Sequence, residues 1–262
     1  MREPREFSYP SSDGSHTVHA MEWLPQGQPR AVVQIVHGVA EYVGRYDHVA
    51  RFLTERGFLV CGEDHLGHGK TVDDGKYGYF GPRGGWDLVV RDIRRLRELQ
   101  GEKYPGVPYV MLGHSMGSFL TRTYLIRWPG TVDGAVLSGT GQEPAPLVAL
   151  GKALAGGLCL LRGGDSVSPL VNAMSLGAYN KKFAPNRTGA DWISRDEAVV
   201  DTYLKDPSAM TSSRLSSLNI SCRPSGYSFT DTSRQPAFRN IRTTFSTPLP
   251  IAPTGSRSPD RK

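Results

Sequence analysis

Short, almost uninterrupted apolar runs alternate with helix-period segments along the first half of the chain, and that alternation leaves few folds open. Segments 31–36, 58–61, 109–112 and 135–137 are too short for stable helices and apolar enough to be strands covered on both faces. Between them, Tyr46, Val49, Ala50 and Leu53 fall at i, i+3, i+4 and i+7 and end at Gly57. Trp86, Val89, Val90, Ile93 and Leu96 repeat the pattern, with Arg91, Arg94, Arg95 and Arg97 on the solvated side. A further helix is expected over 116–127, and residues 16–24 alternate as a half-buried strand. Strands separated by helices pair in parallel through crossovers, so an α/β class with a doubly wound, mostly parallel sheet follows.

The alternation stops near residue 143. Leu147, Leu150, Leu154, Leu158 and Leu161 line one helical face, and Ser194-Arg195-Asp196-Glu197 reads as a capping box before Val199, Val200, Tyr203 and Leu204. Helices without intervening strands divide the chain into a core at 1–143 and a helical cap at 144–210 over the sheet's carboxyl edge. The apolar face of such a cap suits covering a greasy ligand, and it equally suits plain core packing. From Thr211 the composition turns rich in Ser, Thr, Pro and Arg without helical periodicity, and only 241–245 hints at a strand. Too little apolar area is available there to offset ordering entropy, so 211–262 is expected to be a disordered or out-of-frame tail.

Charge and cysteine usage narrow the function classes. The net charge is +6, but residues 211–262 hold seven Arg and one Lys against two Asp, so the excess resides in the tail and residues 1–210 are neutral. A nucleic-acid partner is therefore not expected. Cys61, Cys159 and Cys222 are odd in number and widely spaced, which argues against disulfides or a zinc site and fits a reducing, cytoplasmic compartment. No apolar stretch is long enough for a membrane span, and the first ten residues have no apolar leader core. Oligomeric state is not legible.

Gly113-His114-Ser115-Met116-Gly117 carries the chemistry. It follows an apolar strand and opens a helix, the context in which a serine sits on a strained turn with small residues two positions to either side. The turn would push the Ser115 hydroxyl out beside a helix N-terminus, where negative charge is favoured. Acyl transfer also needs amide donors for an oxyanion. Met116 N–H is one candidate. Val39 N–H is the other, in the run His37-Gly38-Val39-Ala40-Glu41 directly after the strand at 31–36, where Gly38 lets the backbone approach. His37 reads as a brace of that loop rather than as a base. Asp64-His65-Leu66-Gly67-His68-Gly69-Lys70-Thr71 is not a phosphate loop, because a Walker A sequence requires glycine where Asp64 stands.

Taken together, the run 37–46 (HGVAEYVGRY), the run 64–69 (DHLGHG), the serine motif at 113–117 and Leu137-Ser138-Gly139 resemble, in order and spacing, the monoacylglycerol lipase/lysophospholipase branch of the α/β-hydrolases, the serine aminopeptidase-like hydrolases. The resemblance extends over about 5–210. It implies hydrolysis of an acyl ester, such as a monoacylglycerol or lysophospholipid, under a helical cap and without metal or cofactor. In that scheme Ser115 attacks and the amides of Val39 and Met116 hold the oxyanion, supported by Gly113, Gly117, His37 and Gly38. The chain departs from the family pattern at Tyr42, where the family carries His, at Lys70-Thr71, and at Ser118, where a further Gly is usual.

One part of the machinery is missing from the sequence. In α/β-hydrolases the triad runs Ser, acid, His along the chain. The seven histidines are 16, 19, 37, 48, 65, 68 and 114, so none follows Ser115. Asp231 and Asp260 are the only acids in the tail, and neither follows an apolar strand. Neither an acid nor a base can be assigned, and a serine without a base is a poor nucleophile. Two readings follow: a serine hydrolase of low competence, or an inactive pseudohydrolase that binds an acyl ligand or a protein partner. Losing the last strands would also leave the strand at 135–137 as an open sheet edge. A shift of coding frame near Thr211 accounts for all of these features, and reading the DNA in the other frames tests it.

Overall fold

The computed structural model describes residues 2–81, 84–141, 179–209 and 242–246, with isolated positions between 146 and 161. Among the described residues, strands β1 (Arg5–Pro10), β2 (Thr17–Trp23), β3 (Val32–Val36), β4 (Leu59–Glu63), β5 (Tyr109–His114), β6 (Gly134–Ser138) and β7 (Arg242–Ser246) form one sheet in the order β1-β2-β4-β3-β5-β6-β7. β1 and β2 run antiparallel, as do β2 and β4, and every pairing from β4 to β7 is parallel. Helices α1 (Asp47–Thr54), α2 (Gly85–Lys103) and α3 (Met116–Arg127) make the crossovers, and α4 (Glu197–Lys205) lies later in the chain.

The apolar runs are buried for the reason their composition suggested. All five residues of β3 and all five of β4 are buried, and alternate side chains feed two cores. Val32 and Val36 pack with Val89, Val90, Ile93 and Leu96 of α2 and with Leu120, Tyr124 and Leu125 of α3. Val33 and Ile35 pack on the other face with Ala50 of α1, Val43 and Val60. A substitution such as Ile35→Ala at this fully buried position would cost about 2–5 kcal/mol.

β3 has β4 on one side and β5 on the other, so the direction of strand addition reverses between β3 and β5. Loops at such a switch point diverge, opening a crevice at the carboxyl ends of the strands. The loops that leave β3 and β5 there are the ones that carry Gly38 and Ser115.

Two expectations need correction, and one strand was not anticipated. β1 is an element the sequence did not declare, since its exposed face is charged and polar and its inward Tyr9 anchors by donating its hydroxyl to the Asp92 carbonyl at 3.0 Å. The helix α4 is capped by Asp196, whose carboxylate accepts from the Ala198 amide at 2.9 Å, and not by a Ser194–Glu197 box. Ser194 instead accepts from the Asp196 amide at 3.1 Å, two residues too early to cap α4. Finally, β6 is not an open edge. β7 pairs alongside it in parallel, with Gly134 opposite Arg242 and Ser138 opposite Ser246. The faint strand signal at 241–245 marked this segment. The remainder of 211–262, and Leu147, Leu150, Leu154 and Leu158, lie outside the described residues.

Candidate active site

Ser115 follows β5 and is the N-cap of α3, in a conformation that side-chain-bearing residues seldom adopt, with φ 50° and ψ −119°. Among the described residues, Ala40, with φ 58°, is the other non-glycine at positive φ. Such conformations cost about 1–3 kcal/mol each, and both fall in the two loops at the switch point. The flanking glycines allow the turn. A Cβ on Gly113 would lie 2.5 Å from Thr121 Oγ1 and 2.6 Å from the Gly117 carbonyl oxygen. A Cβ on Gly117 would lie 1.9 Å from the Val36 carbonyl oxygen and 2.5 Å from that of His37. The elbow is thus wedged against the end of β3 with backbone on both sides.

Hydrogen bonds fix the bend. The Ser115 amide donates to the Ser138 carbonyl at 2.9 Å, which ties the elbow to the end of β6. Ser118 donates its hydroxyl to the Ser115 carbonyl at 2.6 Å. The Ser115 side chain remains partly exposed at the rim.

The loop after β3 closes against this serine. A Cβ placed on Gly38 would be 3.1 Å from Ser115 Cβ and 3.3 Å from the His114 carbonyl oxygen. Within the loop, the Gly38 amide donates to Glu41 Oε1, which also accepts from the Tyr46 hydroxyl at 2.8 Å. Burial and the Glu41 carboxylate both raise the Tyr46 pKa, so Tyr46 stays a donor. Among the described residues, neither Val39 N–H nor Met116 N–H has a hydrogen-bond partner. An unpaired amide on a loop that touches Ser115 and an unpaired amide at the first position of α3 are what an anion there would use.

Behind the loop sit three buried histidines. His37 donates Nδ1–H to the Gly38 carbonyl at 2.7 Å, and its Nε2 accepts from the His65 amide at 3.1 Å. His65 stacks on His37 with ring centroids 3.9 Å apart, and His68 sits edge-on at 5.2 Å. Burial, with the neighbouring rings of His65 and His68, holds His37 well below the usual histidine range. Burial likewise lowers His68, to about 4. His37 is therefore a neutral ring held between the Gly38 carbonyl and the His65 amide.

Asp64, in the second motif, organises the neighbouring loop. It accepts from the Val43 amide at 2.8 Å, the Lys70 amide at 2.9 Å and His19 Nδ1 at 2.9 Å. A Cβ on Gly69, whose φ is +50°, would fall 2.3 Å from Asp64 Oδ2. Thr71 completes the knot by donating to the Asp64 carbonyl at 2.6 Å. None of this was readable from the motif beyond its polarity.

Tyr42 reaches the other way. Its hydroxyl donates to Asp206 Oδ2 at 2.6 Å, and its ring packs with Ala190, Val200, Tyr203 and Ala209. Arg45 lies over the Tyr203 ring at 4.8 Å. Burial and the Asp206 carboxylate raise the Tyr42 pKa to about 12, so the link holds at neutral pH.

A triad is not assembled among the described residues. No imidazole hydrogen-bonds the Ser115 hydroxyl: His16 and His19 pair with carboxylates, His37, His65 and His68 are buried together, His48 is exposed on α1, and His114 faces Ser138 Oγ at 3.3 Å. A cavity of about 550 Å³ lies among Trp23, Leu24, Arg51 and Gly57, at the amino ends of the parallel strands, and touches none of the candidate site residues. Among the described residues no helix is long and apolar enough to cross a membrane.

Comparison with known proteins agrees with this architecture. Residues 27–220 match the family model described as serine aminopeptidase, S33. The monoacylglycerol lipase of Mycolicibacterium smegmatis is 34% identical over 206 residues, covering 77% of this chain and 64% of that protein. Human monoglyceride lipase is 29% identical over 207 residues, covering 76% and 61%. The chain thus spans less than two thirds of the length of these curated relatives. Among solved structures, a thermostable carboxyl esterase from Bacillus coagulans superposes with TM-score 0.76 at 32% identity, covering 85% of this chain and 72% of that one. A lipase solved in an open form gives TM-score 0.74 at 26% identity, covering 93% and 79%.

Proposed function

The chain belongs to the serine aminopeptidase S33 family of α/β-hydrolases, and from that premise we propose that it is a carboxylic ester hydrolase of the monoacylglycerol lipase type, acting on a small lipid ester through an acyl-enzyme on Ser115. The observation that carries this reading is the meeting of two loops at the switch point: a strained serine at one, a free backbone amide at the other, and Gly38 between them. The ester carbonyl carbon would sit above Ser115 Oγ, with its oxygen directed at Val39 N–H and Met116 N–H. Charge developing on that oxygen gains most from donors already in place, and each such donor is worth about 10²–10³ in rate. No metal or cofactor enters the scheme.

The same proposal includes slow turnover. No histidine follows Ser115, and none among the described residues accepts its proton. Loss of a triad base lowers turnover by about 10⁴–10⁶, leaving the contributions of binding and the oxyanion donors. Residues 144–210 would form the cap, fastened to the core through Tyr42 and Asp206. A cytoplasmic location remains part of the proposal, resting on the cysteine pattern.

The missing base also favours a second reading, a pseudohydrolase whose site binds an acyl ligand without turning it over. Assay of purified chain against 2-monoacylglycerols and lysophospholipids, beside Ser115→Ala, separates the two. Slow release of fatty acid abolished by Ser115→Ala supports the hydrolase. Saturable binding of the ester with no release above the Ser115→Ala background supports the pseudohydrolase, and neither binding nor release removes both.

A further inference from the structure

We infer that His37 and Glu41 grip Gly38 from its two sides and thereby fix the direction of the Val39 amide, which makes them positioning residues for the oxyanion. The inference rests on the reading of Val39 as an oxyanion donor and assigns what holds that donor in place. The Gly38 carbonyl and the Val39 N–H belong to one planar trans peptide, so they point in opposite directions. A partner that holds the carbonyl inward therefore aims the N–H outward, toward the rim where Ser115 stands.

His37 is that partner, at 2.7 Å from the Gly38 carbonyl oxygen. It can serve only if its proton is on Nδ1. The surroundings impose that tautomer, because the His65 main-chain amide donates to His37 Nε2 at 3.1 Å and leaves that nitrogen no room for a proton. His65 is itself fixed. Its ring stacks on His37, and its Nε2–H donates to the His37 carbonyl at 3.2 Å.

Glu41 supplies the second grip. Its carboxylate accepts the Gly38 N–H and is tethered in turn by the Tyr46 hydroxyl. With its preceding and following peptides both held, residue 38 has no free rotation left. The close fit leaves no space for a side chain there, since a Cβ would sit 2.6 Å from Glu41 Oε1. Ala40 at positive φ is the turn that brings Glu41 back over Gly38.

Two pairs of variants test the grip through phosphonylation of Ser115 by a fluorophosphonate, which builds charge on an oxygen in the same position as an ester would. His37→Leu removes the donor, whereas His37→Asn places an amide N–H near the lost Nδ1. Glu41→Ala removes the acceptor, whereas Glu41→Gln keeps an oxygen for Gly38. The expected result is a labelling rate at least ten-fold lower in His37→Leu and Glu41→Ala, with most of it recovered in His37→Asn and Glu41→Gln. Equal rates in all four variants and the parent overturn the inference, as does failure of both conservative variants to recover the rate while their unfolding midpoints match the parent's.

Imidazole ¹⁵N shifts of the full chain give a readout that needs no labelling and no variant. His37 should be the neutral Nδ1–H tautomer at pH 7. An Nε2–H tautomer, or a charged ring at that pH, overturns the grip whatever the labelling shows. Absence of any Ser115 labelling in the parent, with the Nδ1–H tautomer present, rejects the proposed function and leaves the grip standing.

Discussion

Gly117→Ala is the most informative single substitution, because two opposing effects can be weighed from the geometry. In an exposed helix interior, Gly to Ala stabilises by about 0.5–1 kcal/mol through helix propensity and reduced entropy of the unfolded chain. At Gly117 the new methyl would lie 1.9 Å from the Val36 carbonyl oxygen and 2.5 Å from that of His37. Ordinary contact begins near 3.4 Å, so the start of α3 and the end of β3 would have to separate by about 1.5 Å, and both sides are backbone. Overpacking of that kind costs about 1–3 kcal/mol or more, so the net expectation is a loss of about 2 kcal/mol. Gly101 in α2 provides the contrast, since its methyl would meet side chain and no backbone: Arg97 Nη1 at 2.7 Å, on a guanidinium that donates through Nε to the Thr131 carbonyl at 2.8 Å. Urea unfolding should therefore lower the midpoint of Gly117→Ala well below that of Gly101→Ala. A Gly117→Ala protein as stable as its parent would refute the claim that the elbow is wedged against β3.

Further outcomes follow from the same contacts. Ser115→Gly relieves a conformation costing about 1–3 kcal/mol while adding backbone entropy to the unfolded chain, so it should match or exceed the parent in stability by up to about 1–2 kcal/mol in thermal and urea unfolding; a clear loss would show that φ 50° is not strained. Tyr42→Phe should cost about 1–3 kcal/mol by removing the bond to Asp206 while leaving its anionic acceptor half-buried, and native-state hydrogen exchange should rise over 197–209. His19 carries a pH signature: burial opposes its charge, but the Asp64 and Glu6 carboxylates outweigh burial and raise its pKa. A raised folded-state value means that its stabilisation is complete below the ordinary histidine range near 6.5 and is lost as pH rises through the folded value. His19→Gln should therefore destabilise more at pH 5.5 than at pH 8.5, and a penalty independent of pH would contradict the ion-pair account.

The parts of the fold legible in the sequence are those governed by local periodicity. β3 and β4 announce themselves because strands covered on both faces must be apolar at every position, and α2 because its buried and solvated faces separate cleanly. The serine motif was legible because its glycines answer a steric demand that no other residue meets. β1 was not, since an edge strand buries one face only and its Tyr9 anchor on Asp92 is formed across the fold. The cap of α4 was misplaced because Ser194 and Asp196 are both good capping types, and only the chain's approach selects between them. The pairing of β7 with β6 depends on a partner about a hundred residues away, so a weak local signal could not declare it. The grip on Gly38 was equally hidden: Glu41 and His37 are visible as residues, but the tautomer of His37 is decided by the main-chain amide of His65 in another loop.

If the bend at Ser115 presents its hydroxyl to two main-chain amides, as proposed, a crystal structure of the chain after phosphonylation should show a phosphorus atom on Ser115 Oγ, with one phosphonyl oxygen about 2.7–3.1 Å from both Val39 N and Met116 N. An adduct on a different residue, or a phosphonyl oxygen turned to solvent with either amide unengaged, would contradict that proposal.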